Sequence, residues 1–252
     1  MPVQRLRPFW NYYGGKWKHA YEDSYPAPDY DTIIEPFSGA AGYSMRYYRR
    51  SVILCEKDPR VAETWDYLLH ASADDILRLP IVTDVADLPD WVPQGAKYLI
   101  GFNMNTGIAT PAKTLSASHR NNRQLRNYAS GWSEQHRTLC AWQVSYIRHW
   151  KLIQGDYSLA PDIPATWFID PPYDNVAGAQ YRMHDIDYPA LAEWCKARQG
   201  QVMVCENKGA TWLPFTEQLS FMPSINKKAK MREERSQEVV YYQNCKPPGF
   251  FM

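Results

Sequence analysis

The stretch Thr32-Ile33-Ile34-Glu35-Pro36-Phe37-Ser38-Gly39-Ala40-Ala41-Gly42 constrains the fold of this chain more than any other. Its first half is apolar and β-branched, which predicts a buried strand over Thr32–Phe37. The small residues from Ser38 onward predict a tight turn that leads into a helix. A strand, a glycine-containing turn and a helix in this order let a backbone approach a nucleotide-type cofactor closely. Small residues are also common at ordinary strand–helix turns, so a purely structural turn is the alternative.

Elements on either side of this stretch predict an α/β protein. Asp58 and Pro59 predict the N-cap and the first residue of a helix that runs to about Leu69. A second helix is predicted from Asp185 to Arg198. Further strands are predicted at Ser51–Cys55, Thr166–Ile169, Gln201–Cys205, Leu219–Met222 and Glu238–Tyr242. Short apolar runs that alternate with helices indicate βαβ units on a largely parallel, Rossmann-like sheet.

Between residues 72 and 150 this alternation breaks down. The sequence there is polar and rich in Asn and Arg, and it ends in a stretch with apolar residues at helical spacing. These apolar residues are Leu139, Trp142, Tyr146, Ile147 and Trp150. We therefore predict a catalytic domain formed by residues 1–71 and 151–252, interrupted by a mainly helical insert over residues 72–150.

Charge is distributed unevenly along the chain. The formal net charge of the 252 residues is only +1. Between Gly101 and Lys151, however, the sequence contains seven Lys and Arg residues and a single acidic residue, Glu134. Two further basic stretches lie in the first nineteen residues and between Lys227 and Arg235. Local basic stripes on a neutral chain favour contact with a nucleic acid along one face. Solvated surface is the alternative explanation for each stripe.

Composition excludes several classes of protein. With 45% hydrophobic residues the chain can bury a sizeable core. Five scattered cysteines without a CxxC pair predict neither disulfides nor a zinc site, and the six histidines show no metal-ligand spacing. The beginning MPVQRLRPFW has no apolar run of the kind found in signal peptides, and no later stretch has the length needed to cross a bilayer. We expect a cytoplasmic protein with no metal and no membrane partner.

The motif that points most directly to chemistry is Asp170-Pro171-Pro172-Tyr173, which follows the apolar run Thr166–Ile169. Two prolines end a strand and form a rigid extended turn past its carboxyl end, where open α/β sheets bind ligands. The Asp170 carboxylate and a carbonyl of this turn can accept both N–H bonds of an adenine amine and direct its lone pair at a methyl donor. Tyr173 offers a ring on which an extruded base can stack. A strand-ending turn with a capping Asp is the structural alternative.

Three weaker signals fit a cofactor site. Glu56 follows the second strand, where an acid can bind both hydroxyls of a ribose, although a surface acid would look the same. In Tyr12-Tyr13-Gly14-Gly15-Lys16, the glycines permit close backbone approach and Lys16 can meet a carboxylate. In Gly155-Asp156-Tyr157, the acid can accept a hydrogen bond from an adenine amine. Ordinary turns or loops are the alternatives for these last two motifs.

In this order, GGK, EPFxGxxG, an acid after the second strand, a basic insert and DPPY resemble the Dam-type DNA adenine methyltransferases. The likeness extends from Trp10 to the predicted last strand. It implies a Rossmann-like sheet that binds S-adenosylmethionine and carries an inserted DNA-recognition subdomain. Two departures are Ala41, where many relatives have glycine, and Glu56 in place of Asp; both keep a small residue or a carboxylate.

The resemblance assigns residues to two roles, and the chemistry of the basic side chains suggests a third. Those that hold the flipped adenine are Asp170, Pro171, Pro172 and Tyr173. Those that bind the cofactor are Tyr12, Tyr13, Gly14, Lys16, Glu35, Pro36, Phe37, Ser38, Gly39, Ala40, Glu56, Lys57, Asp156, Tyr157 and Asp170. DNA contacts are expected from Arg120, Asn121, Asn122, Arg123 and Arg126, whose side chains suit guanine, adenine and phosphate, and from the phosphate-binding residues Lys227, Lys228, Lys230 and Arg232.

We therefore expect an enzyme that transfers a methyl group from S-adenosylmethionine to N6 of adenine in duplex DNA, as a monomer or weak dimer in a bacterial cell or a phage-infected host. One alternative keeps the fold and changes the substrate to RNA or a protein amide, although relatives of that kind more often carry NPPY. Another alternative is a DNA-binding relative without catalytic activity. The target sequence, a preference for hemimethylated DNA and a role in restriction–modification, phage protection or regulation stay open.

Overall fold

A computed structural model describes residues 5–126, 131–176, 178–217 and 237–245 of the chain. Seven strands form one sheet: β1 (Thr32–Glu35), β2 (Ser51–Glu56), β3 (Lys151–Gln154), β4 (Ala165–Ile169), β5 (Gly200–Asn207), β6 (Thr216–Glu217) and β7 (Glu238–Gln243). Their order is β3-β2-β1-β4-β5-β7-β6. Strands β1 to β5 are parallel, whereas β7 pairs antiparallel with β5 and β6. The first five strands thus follow the order of a doubly wound Rossmann sheet, and the predicted α/β class is confirmed.

The α-helices among the described residues are α1 (Trp17–Tyr21), α2 (Gly42–Arg46), α3 (Pro59–His70), α4 (Ala73–Leu77), α5 (Gln94–Phe102), α6 (Ala117–Arg126), α7 (Glu134–Gln143) and α8 (Tyr188–Lys196). The predicted start of α3 is confirmed, because the Asp58 side chain accepts a hydrogen bond from the Arg60 amide at 3.0 Å. Helix α8 is shorter than predicted. It begins at Tyr188, since Asp187 caps it by accepting from the Ala190 amide at 3.0 Å.

Several predicted boundaries were wrong, each for a local reason. Strand β1 ends at Glu35 rather than Phe37, because Pro36 has no amide hydrogen for the sheet. The helix predicted up to Trp150 ends at Gln143 and continues as a 3₁₀ turn over Val144–Ile147. The edge strand β3 and the two-residue β6 were not predicted. The predicted strand Leu219–Met222 lies outside the described residues.

Two hydrophobic layers cover the sheet. On one face, α8 contributes Leu191 and Cys195, which pack with the strand residue Trp167. The other layer contains Trp65 of α3 and extends through Leu99 and Trp132 of the central stretch. The apolar side chains of residues 72–150 therefore belong to the same core as the sheet. Among the described residues, no helix has both the length and the apolar character that a membrane span requires.

Candidate active site

A cavity of about 270 Å³ opens at the carboxyl edge of the sheet, where the strand order reverses between β1 and β4. Chains leaving neighbouring strands at such a point diverge to opposite faces, which creates a crevice for ligands. All of the residues predicted to bind the cofactor line this cavity, from the turns that begin at Tyr12, Glu35, Glu56, Asp156 and Asp170. The fold thus brings five separate segments of the sequence together at one place.

The turn after β1 is shaped by two left-handed residues, Gly39 with φ +43° and Ala41 with φ +50°. A Cβ atom on Gly39 would lie 3.0 Å from the ring of Tyr12, so this position favours glycine for space as well as for conformation. The indole nitrogen of Trp65 donates to the Gly39 carbonyl at 2.7 Å. This hydrogen bond from α3 fixes the position of the turn.

Glu56 lies beneath the same turn. One carboxylate oxygen accepts hydrogen bonds from the Gly39 amide and the Ser38 hydroxyl, both at 3.1 Å, and the other accepts from the Asp58 amide at 2.9 Å. Burial raises the pKa of Glu56 to about 7, against the opposing effect of these hydrogen bonds. The acid predicted to bind ribose hydroxyls therefore also stabilises the glycine turn.

Glu35 has a structural function within the cavity wall. Its carboxyl group is buried and accepts a hydrogen bond from the Ser44 amide at 2.7 Å, which satisfies a free amide in the first turn of α2. Burial raises the pKa of Glu35 to about 8, so at neutral pH this group is largely protonated. The predicted cofactor residue at this position thus caps a helix.

An aromatic pair and an acid form the far end of the cavity. The rings of Phe37 and Tyr157 have centroids 5.4 Å apart and are tilted by 31°. Beside them, Asp156 accepts from the Ser158 amide and from the Lys57 ammonium, each at 3.2 Å. Partial burial acts to raise the pKa of Asp156, but these hydrogen bonds together have the larger effect, and the pKa is lowered. Two aromatic rings next to an ionised acceptor suit a planar heterocycle that carries an amino group.

Lys16 and Asp170 form an ion pair that joins the first predicted motif to the DPPY motif. The Lys16 ammonium lies 2.8 and 2.9 Å from the two carboxylate oxygens of Asp170 and 3.0 Å from the Gly14 carbonyl. Asp170 Oδ1 nevertheless accepts no well-directed hydrogen bond from the described residues. Burial raises the pKa of Asp170 to about 6, although Lys16 opposes this shift, so the carboxylate is ionised at neutral pH. We expected Lys16 to bind a carboxylate of the cofactor, but here it forms an ion pair with Asp170, the residue predicted to hold the substrate amine.

The other residues of the DPPY motif differ in their surroundings. Pro172 lines the cavity, and its carbonyl accepts from the Tyr188 hydroxyl at 2.8 Å. Pro171 is buried and does not line the cavity. Neither does Tyr173; its hydroxyl donates to Glu238 at 3.4 Å, and the Lys16 ammonium lies 5.0 Å from the centre of its ring.

Two side chains at this site carried no signal in the sequence. Tyr181 donates a hydrogen bond to the Tyr13 carbonyl at 2.9 Å and lies against Gly14, where a Cβ atom would be 2.5 Å from the hydroxyl. It therefore covers the glycine turn of the first motif. Glu238, which we interpreted only as the start of a strand, lies 3.7 Å from the Lys16 ammonium. Neither residue belongs to a local motif. Each contacts the first motif only because the fold brings distant segments of the chain together.

The residues predicted to contact DNA are only partly described. Arg120 and Asn121 are exposed on α6. The side chains of Asn122, Arg123 and Arg126, and the whole of Lys227, Lys228, Lys230 and Arg232, lie outside the described residues. A groove beside the cavity carries Arg7 and Lys18 and, within the described part of the chain, is lined by no acidic side chain.

Two arginines of the basic stretch between Gly101 and Lys151 donate hydrogen bonds to backbone carbonyls of the protein. Arg137 donates to the Leu79 carbonyl at 2.7 Å, and Arg148 donates to the His70 carbonyl at 2.9 Å and to the neighbouring Leu69 and Ala71 carbonyls at the end of α3. The number of basic residues therefore overstates the positive charge that faces a partner.

The described residues contain no cluster of three or more His, Cys, Asp or Glu side chains able to hold a metal ion. No family model and no curated protein matches this sequence.

Proposed function

We propose that this protein is an S-adenosylmethionine-dependent methyltransferase that acts on the N6 amine of adenine in duplex DNA. One observation carries the proposal. Asp170, an ionised carboxylate paired with Lys16, lines a cavity that also contains a glycine turn, an acid that accepts from that turn and an aromatic pair. Such a combination supports a nucleoside cofactor and an amine substrate that meet at Asp170.

The cavity residues suit the chemical groups of S-adenosylmethionine. Glu56 can accept from ribose hydroxyls, and the backbone at Gly39 permits close approach. Phe37 and Tyr157 can pack against the adenine ring while Asp156 accepts from its amino group. When bound, the cofactor supplies a methyl group on a positively charged sulfur.

Asp170 would act on the substrate amine rather than on the cofactor. The lone pair of an aromatic amine is delocalised into its ring, which makes the amine a poor nucleophile. A carboxylate that accepts an N–H bond draws the nitrogen toward tetrahedral geometry and stabilises the positive charge that develops there. A carbonyl of the Pro171–Pro172 turn would accept the second N–H. The methylated amine is acidic until it loses its proton, so a strong general base is not needed.

One observation favours DNA over both RNA and protein, and two more favour a nucleic acid over a protein. The motif carries Asp170, whereas relatives of the same fold that act on RNA or protein amides more often have Asn at this position. The groove beside the cavity is lined by basic and neutral side chains. Arg120 and Asn121 are exposed on α6 and are the types of side chain that contact guanine, adenine and phosphate.

The test is methyl transfer from labelled S-adenosylmethionine to unmethylated genomic DNA, total RNA and denatured protein, followed by nucleoside and amino-acid analysis. We expect N6-methyladenine in DNA, within one short sequence context. Label in RNA or protein would overturn the choice of substrate. Salt-dependent DNA binding without cofactor binding would instead identify a catalytically inactive DNA-binding protein.

A further inference from the structure

Glu238 closes a buried charge network behind the DPPY motif. It is the first residue of β7, where the antiparallel register sets it opposite Asn207 of β5. One of its carboxylate oxygens accepts from the Tyr25 hydroxyl, and the other accepts from the Tyr173 hydroxyl at 3.4 Å. The latter oxygen also lies 3.7 Å from the Lys16 ammonium. A single carboxylate thus contacts both a residue of DPPY and the cation that holds Asp170.

This carboxylate is itself held rigidly. Tyr25 is only 2% exposed, and its ring packs edge-to-face on Phe168 of β4 with centroids 4.9 Å apart. The backbone of Glu238 is fixed by its pairing with the central strand β5. Its position is therefore set by the sheet and not by the cavity, as a residue that orients other side chains requires.

The position of Lys16 determines where the Asp170 carboxylate is held. The ammonium is almost fully buried and contacts two carboxylates and the Gly14 carbonyl, so its location reflects the pull of all three. Without the charge of Glu238, the ammonium would lose one of these three contacts and would no longer be held from the side of β7. The Tyr173 ring, whose hydroxyl is held by Glu238, would also lose its orientation.

We infer that Glu238 is a positioning residue for the reaction: it holds the Lys16 ammonium against the Asp170 carboxylate and orients Tyr173, which fixes Asp170 for contact with the substrate amine. This inference rests on the proposed function. It assigns Glu238 no contact with substrate or cofactor, because Glu238 is not among the residues that line the cavity.

The network also has a consequence for acidity. Glu238 is a negative charge near Asp170 and contributes to raising its pKa, after the larger effect of burial. The other titratable groups that face Asp170 from neighbouring elements are Lys16, Glu35, Tyr173, Tyr181 and Cys205. Replacement of Glu238 by the neutral, isosteric Gln should therefore lower the pH at which Asp170 titrates.

Two measurements on Glu238→Gln test the inference. The first is the turnover and cofactor affinity of the full-length variant: we expect kcat to fall about 100-fold, with the Kd for S-adenosylmethionine within about twofold of the wild type. Tyr25→Phe, which keeps the acid but removes its anchor, should show a smaller loss of the same kind. Glu193→Gln, at an exposed surface ion pair, serves as the matched control and should change neither quantity.

The second measurement does not depend on methyl transfer. Carbon-13 NMR of the aspartate carboxyl groups, with the Asp170 signal identified by its absence in Asp170→Asn, should give a lower titration midpoint in Glu238→Gln than in the wild type. An unchanged midpoint, or an unchanged kcat in an active enzyme, would overturn the inference. If the wild type methylates nothing while the midpoint still shifts, the proposed function fails but the coupling of Glu238 to Asp170 stands.

Discussion

The carboxyl edge of the sheet and the stretch between residues 72 and 150 use their charged side chains differently. At the edge, Glu56 and Asp170 are largely buried, and burial raises the pKa of both groups toward neutrality. In the central stretch, Arg120 is exposed, whereas Arg137 and Arg148 donate to backbone carbonyls. Charges at the edge thus act at short range inside the protein, and those of the central stretch either face solvent or stabilise the fold.

This difference sets the size of the effects that substitutions should have. An interaction between charges is several times stronger in a buried site than in water, and it is less weakened by salt. A buried group at the edge also stabilises the turn on which the pocket depends, as Glu56 does for Gly39. Substitutions at the edge should therefore change activity strongly, and substitutions of exposed cations should change it little.

The largest effect is expected for Asp170→Asn. The amide keeps the shape of the side chain but replaces an ionised acceptor with a neutral one, so methyl transfer should fall by about 1,000-fold. Cofactor binding should be partly retained, because Gly39, Glu56 and Asp156 are untouched. Single-turnover transfer of labelled methyl groups and calorimetric titration of the cofactor measure the two quantities. A rate within about tenfold of the wild type would mean that Asp170 is a structural residue only.

Trp132→Ala examines whether the central stretch folds with the sheet. Trp132 is fully buried in the layer that also contains Trp65, and its indole nitrogen donates to the Pro80 carbonyl at 2.9 Å. Truncation should reduce the free energy of unfolding by about 3–5 kcal/mol in one cooperative urea transition. The exposed Trp91 supplies the control, since Trp91→Ala should change it by less than about 0.5 kcal/mol. Two separate transitions, only one of them shifted, would identify residues 72–150 as an independently folding insert.

The same two regions differ in what their sequences reveal. At the edge, each strand ends at a local motif, and parallel strands must bring their carboxyl ends together, so Gly39, Glu56 and Asp170 could be predicted to meet. Glu238 and Tyr181 could not be predicted, since their contacts with Lys16 and Tyr13 join segments that are far apart in the sequence and carry no motif. The function of these two residues depends on where the fold places them, and not on residue type alone.

In the central stretch, local patterns predicted helices but not their limits. The apolar spacing continued to Trp150, yet α7 ends at Gln143 and a 3₁₀ turn follows, which allows the chain to enter the edge strand β3. β3 itself is short and only half-buried, so it lacks the apolar pattern by which strands are recognised. Counting basic residues also failed to separate Arg137 and Arg148, whose partners are carbonyls, from the exposed Arg120.

A smaller effect is expected for Glu56→Gln. The amide keeps one oxygen but turns an NH₂ group toward either the Gly39 and Ser38 donors or the Asp58 amide, so cofactor affinity should fall by about 10- to 100-fold at pH 8. In the wild type, affinity should also fall as the pH decreases through about 7, where Glu56 gains a proton, and the variant should lose this dependence. Calorimetric titration at pH 6 and pH 8 measures both.

The effect of Glu56 on folding has the opposite sign. Its pKa in the folded protein is about 7, above the ordinary value of 4.5, so the folded state binds the proton more tightly than the unfolded state. This contribution to stability is complete below pH 4.5 and is lost as the pH rises through 7. The melting temperature of Glu56→Gln should therefore vary less between pH 5 and pH 8 than that of the wild type. Equal slopes for the two proteins would contradict the buried, shifted carboxyl group.

The smallest effect is expected for Arg120→Ala, which tests whether the exposed cations of the central stretch contact DNA at all. Arg120 lies on α6, and removal of one phosphate contact should weaken duplex binding about threefold and reduce the slope of log K against log salt by about one. Lys151 is a matched control, because it is also exposed but lies at the amino end of β3 and does not line the cavity. Fluorescence anisotropy of labelled duplex DNA over a range of salt concentrations measures both variants. If Lys151→Ala weakens binding as much as Arg120→Ala, DNA is attracted by overall charge and α6 is not its contact surface; if only Arg120→Ala does so, α6 contacts the duplex.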